Sequence, residues 1–322
     1  SAHRRHQGNR RLNMQKRDHG GGLDAAAAAF GGTRVDWLDL STGINPVPYP
    51  LPSITKDAWT ALPDQAARHE LEDAARAFWN VPSQAAVLAV PGASAAIAQI
   101  PRLAAAGTVD IPGPTYNEHA ASFTAAGWVI TQSDNAATAS VHVHPNNPDG
   151  RLWYPNDLHG ALRVIDESFC DVTPDATMIT EAREPGTLVL KSFGKFWGLA
   201  GVRLGFVIGD PAMIERLRAM IGPWAVAGPA LTIGATALRD NAWADATRAR
   251  LQKDATRLDQ IILSKGATLV GGTSLFRLYD VPNAVEWQTT LARHHIWSRV
   301  FPYNENWLRL GLPAPPDWKR IE

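Results

Sequence analysis

The sequence predicts an α/β protein: a mostly parallel or mixed sheet covered by helices, followed by a smaller α+β domain. Three observations carry this. Short apolar runs bounded by turn residues recur as far as residue 210, and Ala-rich stretches with helical spacing lie between several of them. Beyond Pro211 the pattern changes to a long helical tract, two strands, a helix and two further apolar runs. Strand–helix–strand repetition places helices on the faces of a sheet, and ligands then bind beyond the carboxyl ends of its strands.

In chain order the predicted strands are Val35–Leu40, Ala86–Val90, Thr108–Ile111, Trp128–Thr131, Ser140–Val143, Leu162–Ile165, Thr187–Leu190 and Leu204–Ile208. His69–Trp79 reads as a helix because Leu71, Ala74, Ala75, Phe78 and Trp79 recur on one side, and Ser94–Ala105 and Tyr116–Ala126 read similarly. A helical tract follows from about Pro229 to Leu263, then strands at Ala267–Val270 and Leu275–Asp280, a helix at Ala284–His294, and apolar stretches at Ile296–Val300 and Trp307–Leu310. The expected organisation is a flexible tail over residues 1–18, an N-terminal arm over 19–45, a large domain over 46–210, a pocket-lining connection over 211–228, and an interdomain helix with a small domain over 229–322.

Composition excludes several classes. The chain has 322 residues, 45% apolar and 19% charged, with 31 basic and 31 acidic side chains. That is a folded, neutral protein, so a nucleic-acid partner is not expected. The basic stretch Ser1–Arg17 reads as a solvated tail. Ala219–Leu238 is uncharged, but Gly222-Pro223 and Gly228-Pro229 break it, which argues against a membrane span. A lone cysteine, Cys170, and the lack of a signal-peptide pattern point to the cytoplasm.

Two of seven lysines fall in Leu190-Lys191-Ser192-Phe193-Gly194-Lys195-Phe196-Trp197-Gly198-Leu199-Ala200-Gly201-Val202-Arg203-Leu204-Gly205, just after a predicted strand. An apolar setting disfavours an ammonium, and a lysine so placed becomes a nucleophilic amine. Lys191 is the rival candidate. The stretch resembles the lysine loop of the class I/II aminotransferase family of fold-type-I pyridoxal-phosphate enzymes, which reads Ser-x-x-Lys and then Gly-Leu-x-Gly-x-Arg-x-Gly. The resemblance implies a three-layer α/β/α large domain and bound pyridoxal 5′-phosphate. Lys195 would carry the cofactor, with Ser192 and Arg203 on its phosphate.

The same resemblance assigns further parts. Asp166, in Val164-Ile165-Asp166-Glu167-Ser168, would bond the pyridine nitrogen and keep it protonated, because a pyridinium is the electron sink. Asn147, in His144-Pro145-Asn146-Asn147-Pro148-Asp149-Gly150, would donate to the ring's O3′ and lie beside the substrate. Gly92, Ala93 and Ser94 join a strand to a helix, where backbone N–H groups can meet a phosphate. Tyr116 would stack on the ring. Arg309 would hold a substrate carboxylate through two parallel hydrogen bonds. No metal is expected.

Within the family, His19-Gly20-Gly21-Gly22-Leu23-Asp24 followed by Asp39-Leu40-Ser41-Thr42-Gly43-Ile44-Asn45-Pro46 is similar to the branch that decarboxylates L-threonine O-3-phosphate in cobalamin biosynthesis. That likeness implies a small phosphorylated amino acid as substrate, with His19, Gly20 and Asn45 among its contacts, (R)-1-amino-2-propanol O-2-phosphate as product, and a homodimer. The alternative is an aminotransferase acting on a phosphorylated amine such as histidinol phosphate. Two departures stand out. Phe169 occupies the place of a tyrosine that bonds O3′ in many relatives. Leu62 occupies the place of a tyrosine that reaches the neighbouring subunit's cofactor.

Overall fold

The computed structural model describes residues 18–322; the expected tail and the basic stretch Ser1–Arg17 lie outside the described residues, apart from Asp18. The chain opens with α1 (Leu23–Phe30), β1 (Leu38–Asp39), α2 (Lys56–Thr60) and α3 (Gln65–Phe78). Then come β2 (Ala86–Val90), α4 (Ala93–Ile97), β3 (Thr108–Asp110), α5 (Asn117–Ala125), β4 (Val129–Thr131), β5 (Ala139–Val143), β6 (Leu162–Asp166), β7 (Thr187–Ser192) and β8 (Gly205–Gly209). These seven strands form one sheet in the order β2-β8-β7-β6-β5-β3-β4. β8 is antiparallel to both β2 and β7, and the remaining pairs are parallel. One apolar cluster covers each face of the sheet: Ile165, Val189, Phe206 and Ile208 look one way, Val164, Leu188, Leu190 and Val207 the other. Burial on both faces is why these strands read as continuous apolar runs.

The second half contains α6 (Pro211–Ile221), α7 (Gly228–Ala237), α8 (Asn241–Ser264), β9 (Thr268–Thr273), β10 (Phe276–Asp280), α9 (Ala284–Arg293), β11 (Ile296–Trp297), β12 (Arg299–Phe301) and β13 (Asn304–Gly311). A four-stranded sheet runs β12-β13-β10-β9. β1 pairs in parallel with β11, so the N-terminal arm is stitched to the C-terminal region. Leu23, Ala26, Trp37 and Ala292 seal that contact.

Three expectations need correction. Val35–Leu40 is not one strand: Asp36 accepts hydrogen bonds from the Thr33 N–H and hydroxyl, closing a 3-10 turn over Arg34–Asp36 and leaving only β1 extended. The helix expected over Ser94–Ala105 stops at Ile97 and gives way to a 3-10 turn at Ile100–Leu103, where Pro101 lacks the N–H that an α-helix interior requires. The tract Pro229–Leu263 is two helices, α7 and α8, because the Asp240 side chain accepts from the Trp243 N–H and starts the second. No helix among the described residues is long and apolar enough to cross a membrane.

Candidate active site

The carboxyl ends of β5, β6 and β7 deliver Val143, Asp166 and Ser192 to one edge of the sheet. Lys195 follows β7 on a short loop. Phe193, Phe196 and Trp197 around it are fully buried, with Trp197 stacked between Phe193 and Trp243 at centroid distances of 5.0 and 5.3 Å. Aromatic packing therefore fixes the loop and leaves the lysine pointing into a cavity.

That cavity has two chambers sharing Tyr116, Asn147, Phe169 and Lys195. The inner chamber also takes in Ala93, Ser94, Asp166, Ser192 and Arg203. The outer one, of about 340 Å³, adds His19, Gly20, Arg299, Tyr303 and Arg309. Burial pushes the Lys195 ammonium down, Arg309 and Arg203 add to this against Asp166, and its pKa falls to about 8. Lys191 is the opposite case. It is buried and ion-paired to Glu167 at 2.5 Å, with Asp171 at 3.7 Å. Burial opposes its charge, but these carboxylates more than offset it, so its pKa stands above the ordinary lysine value. Lys191 is thus held as an ammonium, whereas the surroundings of Lys195 disfavour its charge.

Asp166 is buried, with one oxygen 2.7 Å from His119 Nε2 and the other accepting from the Ser168 hydroxyl and N–H. Burial raises its pKa, yet these hydrogen bonds outweigh burial and hold the carboxyl below its usual range. It stays anionic at the inner end of the cavity. His119 was not singled out from the sequence. Its signal is faint: one histidine three residues after Tyr116, in a helix otherwise rich in small residues.

At the other end of the inner chamber Arg203 donates to Ser94 Oγ at 3.1 Å, with Ser192 also in the lining. Arg203 is anchored by Ala200 O and lies in the left-handed region at φ 54°. Gly92, at φ 83°, passes so close that a Cβ there would sit 2.6 Å from Arg203 Nη2. Two hydroxyls and a guanidinium make a donor set suited to a phosphate. A carboxylate at one end, phosphate donors at the other and an amine between them fit pyridoxal phosphate.

The N-terminal arm crosses the mouth. Gly20 lies so near the Ser41 carbonyl that a Cβ would sit 2.4 Å from its oxygen, and the Gly21 N–H bonds Ser41 Oγ at 2.6 Å. His19 Nε2 pairs with Glu118 at 2.8 Å. Arg309 donates to Asn147 Oδ1 and to Ser41 O, while its Nε is buried without a hydrogen-bond partner. Arg299, not singled out from the sequence, enters the same chamber from β12.

Two expected contacts fall elsewhere. Asn45 donates to Phe196 O at 2.8 Å and accepts from the Val47 N–H and from Arg250 at 2.7 Å. It is buried and fastens the arm to the lysine loop and to α8; it does not line either chamber. The 211–228 connection, expected to line the pocket, lines neither chamber of its own chain. Trp224 is 61% exposed and borders a separate cleft with Pro63, Arg68 and Arg218. Leu62 is likewise exposed. His144, Glu167 and Cys170 gather their ligand-type atoms closely, but both His144 nitrogens are engaged, by the Trp153 N–H and at Ala176 O.

Comparison with known proteins agrees with this fold. A Sinorhizobium threonine-phosphate decarboxylase is 40% identical over 311 residues, spanning 91% of this chain and 92% of the relative. Its counterpart from Pseudomonas aeruginosa is 36% identical over 95% of this chain and 96% of the relative. The crystal structure of histidinol-phosphate aminotransferase from Sinorhizobium meliloti in complex with pyridoxal-5′-phosphate superposes with a TM-score of 0.78 at 16% identity, covering 94% of this chain and 92% of that one. The profile of aminotransferase class I and II matches residues 36–320, and the chain belongs to that family.

Proposed function

We propose that the protein is a pyridoxal-phosphate-dependent decarboxylase of L-threonine O-3-phosphate, releasing carbon dioxide and (R)-1-amino-2-propanol O-2-phosphate. The observation that carries this reading is the pair Arg299 and Arg309 in one chamber with Lys195. Two cations at the mouth of a lysine site suit a substrate with two anionic ends. The names of the 36–40% identical relatives support the same substrate.

In this reading Ser94, Ser192 and Arg203 would hold the cofactor phosphate, Asp166 would keep the ring nitrogen protonated, and Lys195 would carry the cofactor through its amine. When bound, the cofactor supplies an electron sink for the bond broken at Cα. The chain's own part is positioning. Arg309 receives the substrate carboxylate through its fork, and Arg299 with the arm receives the phosphate. Two anchors would fix the rotation about Cα and so select which of its bonds breaks. The Lys195 amine, with its lowered pKa, is suited to deliver the proton that takes the carboxylate's place at Cα. The Phe169 ring centroid lies 5.2 Å from Lys195 Nζ, and a phenyl ring brings no hydroxyl to the cofactor's O3′.

The test is product analysis with the purified, cofactor-loaded enzyme. Carbon dioxide and aminopropanol phosphate from threonine phosphate are the expected result. Glutamate formed from histidinol phosphate and 2-oxoglutarate, with no carbon dioxide from threonine phosphate, would establish a transaminase instead.

The enzyme acts as a homodimer in the cytoplasm. Trp59, Leu62 and Trp224 are 61–67% exposed, and large exposed apolar side chains of this kind suit a second copy. Sedimentation at working concentration should give a two-chain particle, and Trp224→Glu should shift it toward the monomer. A fully active wild-type monomer would remove this assignment.

A further inference from the structure

We propose that Asp18 is an internal stand-in for the substrate's distal phosphate: its carboxylate sits on Arg299, and a phosphorylated substrate binds by displacing it. This rests on the reading of the outer chamber as the phosphorylated substrate's site.

The contacts are specific. Asp18 Oδ1 lies 2.5 Å from Arg299 Nη1. The same guanidinium donates to two backbone carbonyls of the arm, His19 O at 2.8 Å and Asp18 O at 3.0 Å. Asn117 also donates to Asp18 O, at 2.9 Å. Asp18 is the single carboxylate in the described lining of the outer chamber, where Arg299, Arg309 and Lys195 supply the cations.

The two partners differ in freedom. The Arg299 side chain is 12% exposed and that of Asp18 is 42% exposed. The cation is therefore fixed and the anion can swing into solvent. Its departure leaves the carbonyl contacts of Asp18 and His19 in place, so the arm stays docked and the guanidinium stays aimed.

A phosphate dianion and the Asp18 carboxylate repel each other on one guanidinium, so one excludes the other. Asp18 is also tethered, which places its carboxylate at an effective concentration on the order of millimolar or above. A free carboxylate offers only a like-for-like exchange against that tether and loses. A phosphate brings about one more charge at pH 8, where its second proton (pKa ≈ 6) is gone, and three acceptor oxygens. Asp18 thus sets an affinity threshold that phosphorylated ligands cross and dicarboxylates do not. Without a distal anion, Arg299 still has a partner, so the chamber keeps its shape before substrate arrives.

The experiment is calorimetric titration of the cofactor-loaded enzyme with inorganic phosphate and, separately, with glutarate at pH 8, comparing wild type with Asp18→Asn. The loaded enzyme is used so that the cofactor's own phosphate fills the inner chamber. The variant keeps the side chain's size and an oxygen for Arg299 but removes its charge. Phosphate should bind about fivefold tighter to the variant, the weight of a partly exposed ion pair, and glutarate binding should become measurable. Equal phosphate affinity in both proteins would show an ion pair without consequence, and weaker binding in the variant would make Asp18 an anchor of the arm; either overturns the proposal while leaving the phosphorylated substrate in place. Absence of phosphate binding from both proteins would overturn the reading of the chamber itself.

Discussion

Asp166→Asn should lower kcat by roughly 10³–10⁴, the scale seen when a buried carboxylate that holds a ring nitrogen's proton is replaced by its amide. The physical reason lies in the surroundings. His119 and Ser168 hold Asp166 ionised although it is fully enclosed. An anion there keeps a proton on the nitrogen it faces; a neutral amide does not, and an unprotonated ring is a poorer electron sink. The isosteric change preserves the shape of the inner chamber, so cofactor attachment at Lys195 should survive. Borohydride reduction and peptide mapping should therefore place the pyridoxyl label on Lys195 in both wild type and variant. Label on Lys191 would overturn the assignment of the amine, and near-normal turnover by Asp166→Asn would overturn the role of the carboxylate.

The cavity-lining residues whose placement was legible in the sequence share one property: their positions are set within a contiguous strand-to-loop or strand-to-helix segment. Ser192 ends one strand and Lys195 and Arg203 follow it, Asp166 ends another, and Gly92-Ala93-Ser94 joins a third to its helix. Spacing along the chain then implies placement in space. What was not legible depends on segments that meet only after folding. Asn45 sits in a stretch that invites a substrate contact, but Arg250, 205 residues away, and the Phe196 carbonyl claim its amide. His119 becomes meaningful only when α5 packs over the end of β6. Arg299 enters the cavity because β12 pairs with β13 and the arm folds back to meet it. The broad fold was legible because buried parallel strands are unbroken apolar runs. The break between α7 and α8 was harder to see, since Leu238-Arg239-Asp240 contains no proline or glycine.

L-Threonine O-3-phosphate should be decarboxylated with a kcat/KM about 10²–10⁴ above that of L-threonine. One charge-assisted hydrogen bond contributes roughly 1.5–3 kcal/mol, and at least two are lost with the phosphate, where about 1.4 kcal/mol is a factor of ten. Displacement of Asp18 offsets part of this gain, which places the expected ratio below the plain sum of the bonds. Part of the effect should appear in kcat. With only the Arg309 anchor the substrate could rotate about Cα, and the bond to the carboxylate would no longer be the one favoured to break. Arg299→Ala isolates this contribution. It should lower kcat/KM for threonine phosphate by about 10²-fold, and by far less for threonine, which has no group to place there. The Lys195 label should be unchanged, because Arg299 lies in the outer chamber and does not line the inner one. Equal losses for both substrates would mean that Arg299 serves the chamber's architecture, and the phosphate would then have to find its cation at Arg309.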